Sequence, residues 1–169
     1  MKYDLILITG CPGSGKSTIA QKLYDKLQSV YLDLGKLREP HLDKEWKKAN
    51  KDEEKMAFEN LISIVKNYIK KGYKEVLLDD LLPWMIKDLE KKFKDKEILI
   101  ITLTVTEKEL KNRLETRTTS GFKNLKKALE FQEELLKLKL KNQIILDNSH
   151  NNPEKTLKLI LEKLKWHSI

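Results

Sequence analysis

Eight residues near the amino terminus, Gly10-Cys11-Pro12-Gly13-Ser14-Gly15-Lys16-Ser17, fit the pattern G-x-x-x-x-G-K-[ST], and Thr18 follows them. Glycines at these positions let successive backbone N–H groups turn inward around a chain of phosphates. A helix opening directly behind aims its positive N-terminus at the same anion. Lys16 can then reach the outer phosphates as a point charge, and the Ser17 hydroxyl can ligate Mg²⁺. The string alone is weak, and its setting decides. An apolar run at residues 4–9 precedes it, and Ile19, Leu23 and Leu27 continue helically behind it. A loop between a buried strand and a helix is the required context, so a nucleotide-binding loop is predicted over Gly10 to Thr18.

Further polar residues fall where such a site needs them. Asp33 sits at the expected C-terminal end of the second strand, where open α/β sheets place ligands. A carboxylate there can accept a proton from a hydroxyl or orient Mg²⁺ through water; the alternative is an Asp that caps the next helix. Val76-Leu77-Leu78-Asp79-Asp80 is an apolar strand ending in acid. Adjacent side chains on a strand face opposite ways, so one of the two is expected to face a metal. Asp79 is that residue, leaving Asp80 to face an acceptor or to cap the helix opening at Pro83. Arg113 and Arg117, four apart, share a helix face if the helix extends that far, and Glu109 and Glu115 are the alternative partners. Thr118-Thr119-Ser120-Gly121 behind them reads as a hinge or tip. For Asp147-Asn148-Ser149, side-chain identity carries little information. Cys11 is a small residue whose thiol an electropositive loop can make more acidic.

Positioning these residues requires a layered frame. Residues 4–9, 29–33, 74–79, 97–105 and 143–147 read as strands, continuous rather than alternating, as when helices cover both sheet faces. A helix over 51–71 is framed by an Asn50/Glu53 capping box and stopped by Gly72, with Met56, Leu61, Val65, Tyr68 and Ile69 on its apolar side. Pro83 opens a helix to about Phe93, Thr106 with Glu109 caps another, and Asn152-Pro153 opens the last. The alternation predicts an α/β fold, a three-layer α/β/α sandwich on a parallel sheet.

The chain has 169 residues, of which 40% are hydrophobic and 36% charged. One domain over 1–169 is expected, in the cytoplasm. No apolar run reaches the roughly 20 residues that span a bilayer, and the N-terminus does not read as a signal peptide. The single cysteine excludes an internal disulfide, and three scattered histidines give no metal spacing. Net charge is +8, yet only three of 34 cationic side chains are arginine. The lysines, Lys44, Lys47 and Lys48 or Lys137, Lys139 and Lys141 for example, read as solvated helix faces, so a nucleic acid partner is not favoured.

The strings Asn-Lys-x-Asp and Asp-x-x-Gly of GTPases are absent. The stretch Gly10 to Thr18 resembles the compact P-loop kinases: shikimate and gluconate kinases, nucleoside-monophosphate kinases and the 5′-kinase domain of polynucleotide kinases. That resemblance implies a P-loop NTPase fold with a five-stranded sheet in order 2-3-1-4-5, a lid at about 113–124, and an acceptor site beside the loop. It also implies ATP and Mg²⁺ as cofactors. In related kinases the Asp33 strand end often reads Asp-x-Asp; here it is Asp33-Leu34-Gly35, so the acceptor does not carry over. The resemblance makes Arg38 and Asp80 acceptor-binding candidates beside Asp33, and makes Arg113 and Arg117 lid arginines that clamp the nucleotide. The candidate set is therefore Lys16, Asp33, Arg113 and Arg117 for catalysis, Gly10 to Thr18 for ATP, and Ser17 with Asp79 for metal. The function expected is transfer of the γ-phosphoryl to a hydroxyl or phosphate of a small acceptor. A polynucleotide 5′-hydroxyl kinase and a non-catalytic ATP-binding module are the alternatives. Tyr31, Trp46, Phe58 and Trp84 are either core or pocket lining.

Overall fold

The computed structural model of the protein describes residues 3–43, 46–117 and 122–166. The five predicted runs form β1 (Leu5–Gly10), β2 (Tyr31–Asp33), β3 (Val76–Asp79), β4 (Ile98–Thr104) and β5 (Gln143–Asp147). All pairings are parallel and the order is β2-β3-β1-β4-β5, as the sequence predicts. The three central strands are almost wholly buried, which is why their sequences are unbroken apolar runs; the edge strands are not.

Between the strands run α1 (Lys16–Leu27), α2 (Leu34–Arg38), a single 3₁₀ turn at Glu39–His41, α3 (Lys51–Lys70), α4 (Pro83–Lys92), α5 (Glu107–Thr116), α6 (Leu125–Lys137) and α7 (Pro153–Trp166). Alternation along β1 divides the core. Ile6 and Ile8 face α1 and α7, meeting Ile19, Leu23, Leu157 and Ile160. Leu5 and Leu7 face the other layer, where Phe58, Leu61, Met85, Ile86 and Leu135 come from α3, α4 and α6. A smaller cluster of Cys11, Val105, Leu110, Leu114 and Ala128 fastens the glycine loop to α5 and α6. Among the described residues no helix is long and apolar enough to cross a membrane.

Several local expectations change. Asn50 Oδ1 accepts from the Asp52 and Glu53 amides at 3.0 and 3.1 Å, but the Glu53 carboxylate turns away to Arg38, leaving half a capping box. Met56 is exposed, and Ala57, Phe58, Leu61, Ile62 and Val65 form the buried face of α3. Thr106 makes no side-chain cap, and the return bond of the box is absent too, because Ser149 Oγ accepts the Thr106 amide and Glu109 pairs with Arg113. Lys47 and Lys48 lie in a turn closed by Asp43, which accepts both their amides at 3.0 Å, and not on a helix. Lys44 lies outside the described residues, and Lys139 and Lys141 lie beyond the end of α6. Helix α6 itself was not predicted; Asn124 caps it, accepting from the Lys127 amide at 3.0 Å.

Candidate active site

The glycine loop is built as its pattern requires. Gly13 and Gly15 have φ of 89° and 90°, a left-handed region that side chains with a Cβ resist. At Gly10 the constraint is space: a Cβ there would stand 2.4 Å from Ser14 Oγ and 2.8 Å from the Leu103 carbonyl. Cys11 is fully buried, its Sγ 3.7 Å from Gln132 Oε1. Burial pushes its thiol up to about 11 despite the nearby Lys16 and Arg113 charges, so the expected acidification does not occur. Gln132 Oε1 also accepts the Val105 amide at 2.8 Å, tying α6 to the end of β4.

The loop after β5 contributes more than its sequence suggests. Asn148 is buried; its Nδ2 donates to the Ser14 carbonyl at 2.8 Å and its Oδ1 accepts from Thr156 Oγ1 at 2.5 Å. Arg113 donates from Nη2 to the Asn148 carbonyl at 2.7 Å and from Nη1 to the Gly13 and Ser14 carbonyls at 3.5 and 3.4 Å. Its Nε donates to Glu109 at 2.8 Å. Arg113 thus joins α5, the glycine loop and the β5–α7 loop. Arg117 follows the helix in extended backbone and is exposed, so the two arginines do not share a helical face. The segment 118–121, within the expected lid, lies outside the described residues.

Three carboxylates converge on the other side of Lys16. Asp33 and Asp79 are register partners at the ends of β2 and β3. Asp33 does cap α2, its Oδ1 accepting from the Lys36 amide at 3.2 Å. Asp80 stands beyond the strand in left-handed backbone, φ 62°, and caps no helix. That turn brings its Oδ1 to 3.2 Å from Lys16 Nζ. Both acids therefore face the glycine loop, because strand alternation stops at Asp79. Asp33 and Asp80 flank Gly35, whose missing Cβ would lie 3.1 Å from Asp33 Oδ1 and 3.0 Å from Asp80 Oδ2. Burial, then Asp80, raises the Asp33 carboxyl above its ordinary range.

Among the described residues the buried side-chain atoms without a hydrogen-bond partner are Ser14 Oγ and both oxygens of Asp79. The Ser17 and Tyr31 hydroxyls lie beside Asp79 without bonding it in this geometry. Burial, reinforced by Asp33 and Asp80, pushes Asp79 up to about 7. An unpaired buried carboxylate is costly unless a cation or hydrated ion meets it. No group of three or more His, Cys, Asp or Glu among the described residues could hold a bare metal ion. Ser17 with Asp79 suits a metal that arrives on a polyphosphate and keeps waters of its own, as Mg²⁺ does.

Arg38 is buried, in bidentate contact with Glu53: Nε lies 2.9 Å from Oε1, and Nη2 lies 2.5 Å from Oε2. His41 Nε2 stands 2.8 Å from the same Oε1, and the Trp46 ring covers the guanidinium at 4.8 Å. The sequence marks Glu53 only as a capping residue, and nothing in its spacing reveals this pair. Beside the pair opens a groove of about 420 Å³ lined by Lys51, Glu54, Lys55, Leu82, Trp84 and Phe131, among others. Phe58 is core, and Trp84 stands edge-on to it at 5.4 Å with its own ring half exposed to the groove.

The same frame is found in solved structures. A sugar kinase from Janibacter sp. HTCC2649 superposes with a TM-score of 0.73 at 16% identity, over 96% of this chain and 95% of that one. A gluconokinase from Sinorhizobium meliloti 1021 gives 0.70 at 14% over the whole of both chains. Shikimate kinase from Aquifex aeolicus vf5 gives 0.66 at 19%, over 97% and 98%. No curated protein matches the chain with significance. The family model described as an AAA domain matches residues 6–137. The chain belongs to the AAA domain family and has the fold of the small P-loop kinases.

Proposed function

We propose that the protein is an ATP- and Mg²⁺-dependent phosphotransferase that moves the γ-phosphoryl to a hydroxyl or phosphate oxygen of a small acceptor. The observation that carries this reading is the orphaned Asp79 carboxylate, buried beside Ser17 and next to the lysine of a formed phosphate loop. Asp33 and Asp80, converging on Gly35 beside the loop, are the carboxylates we assign to the acceptor side.

In the reaction the acceptor oxygen attacks the γ-phosphorus, the bond from that phosphorus to the β–γ bridging oxygen breaks, and ADP leaves. Mg²⁺, when bound, supplies charge neutralisation across the outer phosphate oxygens. Lys16 would leave Asp80 for those oxygens, and Ser17 and Asp79 would hold the metal. Asp33, raised by burial, takes the hydroxyl proton, and Asp80 orients the acceptor. Arg38 borders the acceptor from the Glu53 side. Arg113 fixes the loop through its carbonyls, while Arg117, exposed just past α5, is the arginine we assign to the nucleotide's phosphates.

The test is transfer of labelled γ-phosphate from ATP with Mg²⁺ to a pooled panel of nucleosides, nucleoside monophosphates, sugars, sugar acids and other alcohols. Transfer that Lys16→Ala lowers by about a hundredfold or more supports the assignment. Undiminished transfer in that variant sinks it.

A further inference from the structure

The acceptor side of this site contains an arginine that is not free to bind an anion, and the reason is Glu53. Both oxygens of Glu53 engage the Arg38 fork, and His41 adds a second contact to the same carboxylate. The side chains of Arg38 and Glu53 are 10% and 7% exposed, so the pair does not open to solvent. Trp46 closes the guanidinium face, and Glu54 stands 3.8 Å from Nη2. A bidentate carboxylate occupies the geometry that a substrate carboxylate or phosphate would need.

The other two arginines do not make up the loss. Arg113 is held on four main-chain carbonyls and Glu109, and Arg117 lies at the far end of α5. Around the acceptor position stand Asp33 and Asp80, with Lys16 committed to Asp80 and then to phosphate. On the groove wall Lys51 and Lys55 are matched by Glu54 and Glu134, so the groove carries no net charge, and Leu82, Trp84 and Phe131 give it an apolar floor.

We propose, resting on the kinase reading above, that Glu53 sets acceptor specificity. By neutralising Arg38 it restricts the enzyme to uncharged or cationic hydroxyl compounds whose apolar part lies along Trp84. A carboxylate- or phosphate-bearing acceptor would enter a site already holding Asp33, Asp80 and the nucleotide's own negative charge, with no unpaired guanidinium to receive it.

The test uses the full chain, Mg·ATP and acceptors that share a frame but differ in charge: glucose, glucosamine and gluconate, then adenosine and AMP. The neutral or cationic member of each set should exceed its anionic partner in kcat/KM by about tenfold or more, and preference for gluconate or AMP overturns the proposal. Glu53→Gln should raise kcat/KM for the anionic members by about tenfold without a matching gain on glucose; unchanged selectivity overturns it. Should that variant not fold, the apolar pair Arg38→Met/Glu53→Leu replaces it, because exchanging both partners of a buried ion pair is often tolerated. Its selectivity should equal that of the wild type, and a specific loss of anionic acceptors overturns the proposal. Should no panel member be phosphorylated, sulfate serves as the probe in thermal melts with Mg·ADP. Equal sulfate stabilisation of wild type and the double variant supports the proposal, and a larger shift in wild type shows Arg38 receiving an anion and overturns it. The kinase reading fails separately, if Lys16→Ala leaves ATP binding and transfer intact.

Discussion

The Lys16 ammonium lies 3.2 Å from Asp80 Oδ1, an ion pair made by the one backbone step after β3 that turns left-handed. The lysine of the phosphate loop is thus already paired before any phosphate reaches it. Nucleotide binding is then an exchange of one anionic partner of Lys16 for another, and on the proposed reading it frees the Asp80 carboxylate for the acceptor.

Asp80→Asn should therefore tighten ATP binding while weakening transfer. The pair is partly exposed, so the gain is bounded at about two- to fivefold in Kd. Isothermal titration of the variant against wild type measures it, and weaker binding in the variant would show that the pair does not compete with phosphate.

Asp79→Asn should stabilise the unliganded chain and abolish transfer together. Both carboxylate oxygens are buried without partners, so removing the charge at pH 8 is worth about 1–2 kcal/mol. A higher Tm with activity down at least a hundredfold is the expected pairing. A lower Tm would mean that the carboxylate is satisfied in the free protein.

Glu53 governs the acid limb of stability. The Arg38 bond, first, and the His41 bond hold its carboxyl below its ordinary 4.5. Its stabilisation is fully present above pH about 4.5, where the unfolded chain's Glu is also ionised, and is lost as pH falls through the lower folded value. Glu53→Gln should flatten that part of the pH–stability profile and cost about 1–3 kcal/mol at neutral pH. Urea melts from pH 3 to 7 provide the comparison.

Asn148→Ala should act on nucleotide and not on acceptor. It removes the bond to the Ser14 carbonyl and the shorter of the two bonds made by Thr156 Oγ1, costing about 1–3 kcal/mol. The KM for ATP should rise severalfold with the acceptor KM unchanged. Equal effects on both would make Asn148 a general stability residue.

Strand runs and the glycine loop were legible because burial on both faces and phosphate-loop geometry leave direct marks on sequence. Three relationships were not. Asp80 faces the site through a φ of 62°, which strand alternation cannot express. Asn148 matters through a bond to Ser14, 134 positions away, and Glu53 through one to Arg38 between two helices. Helix α6 also escaped: it begins beyond the expected 113–124 lid, and its apolar residues, Ala128, Phe131 and Leu135, show their role only by packing against the sheet and the glycine loop.

The bond between Asn148 and Ser14 also bears on how the molecule is assembled in time. All eight residues of the loop are synthesised within the first 17 positions, yet their fixed shape depends on the turn after the last strand. Non-local pairing of this kind closes late in folding. During refolding, nucleotide affinity should emerge after helix formation, and a chain cut before β5 should carry the intact motif without gripping phosphate.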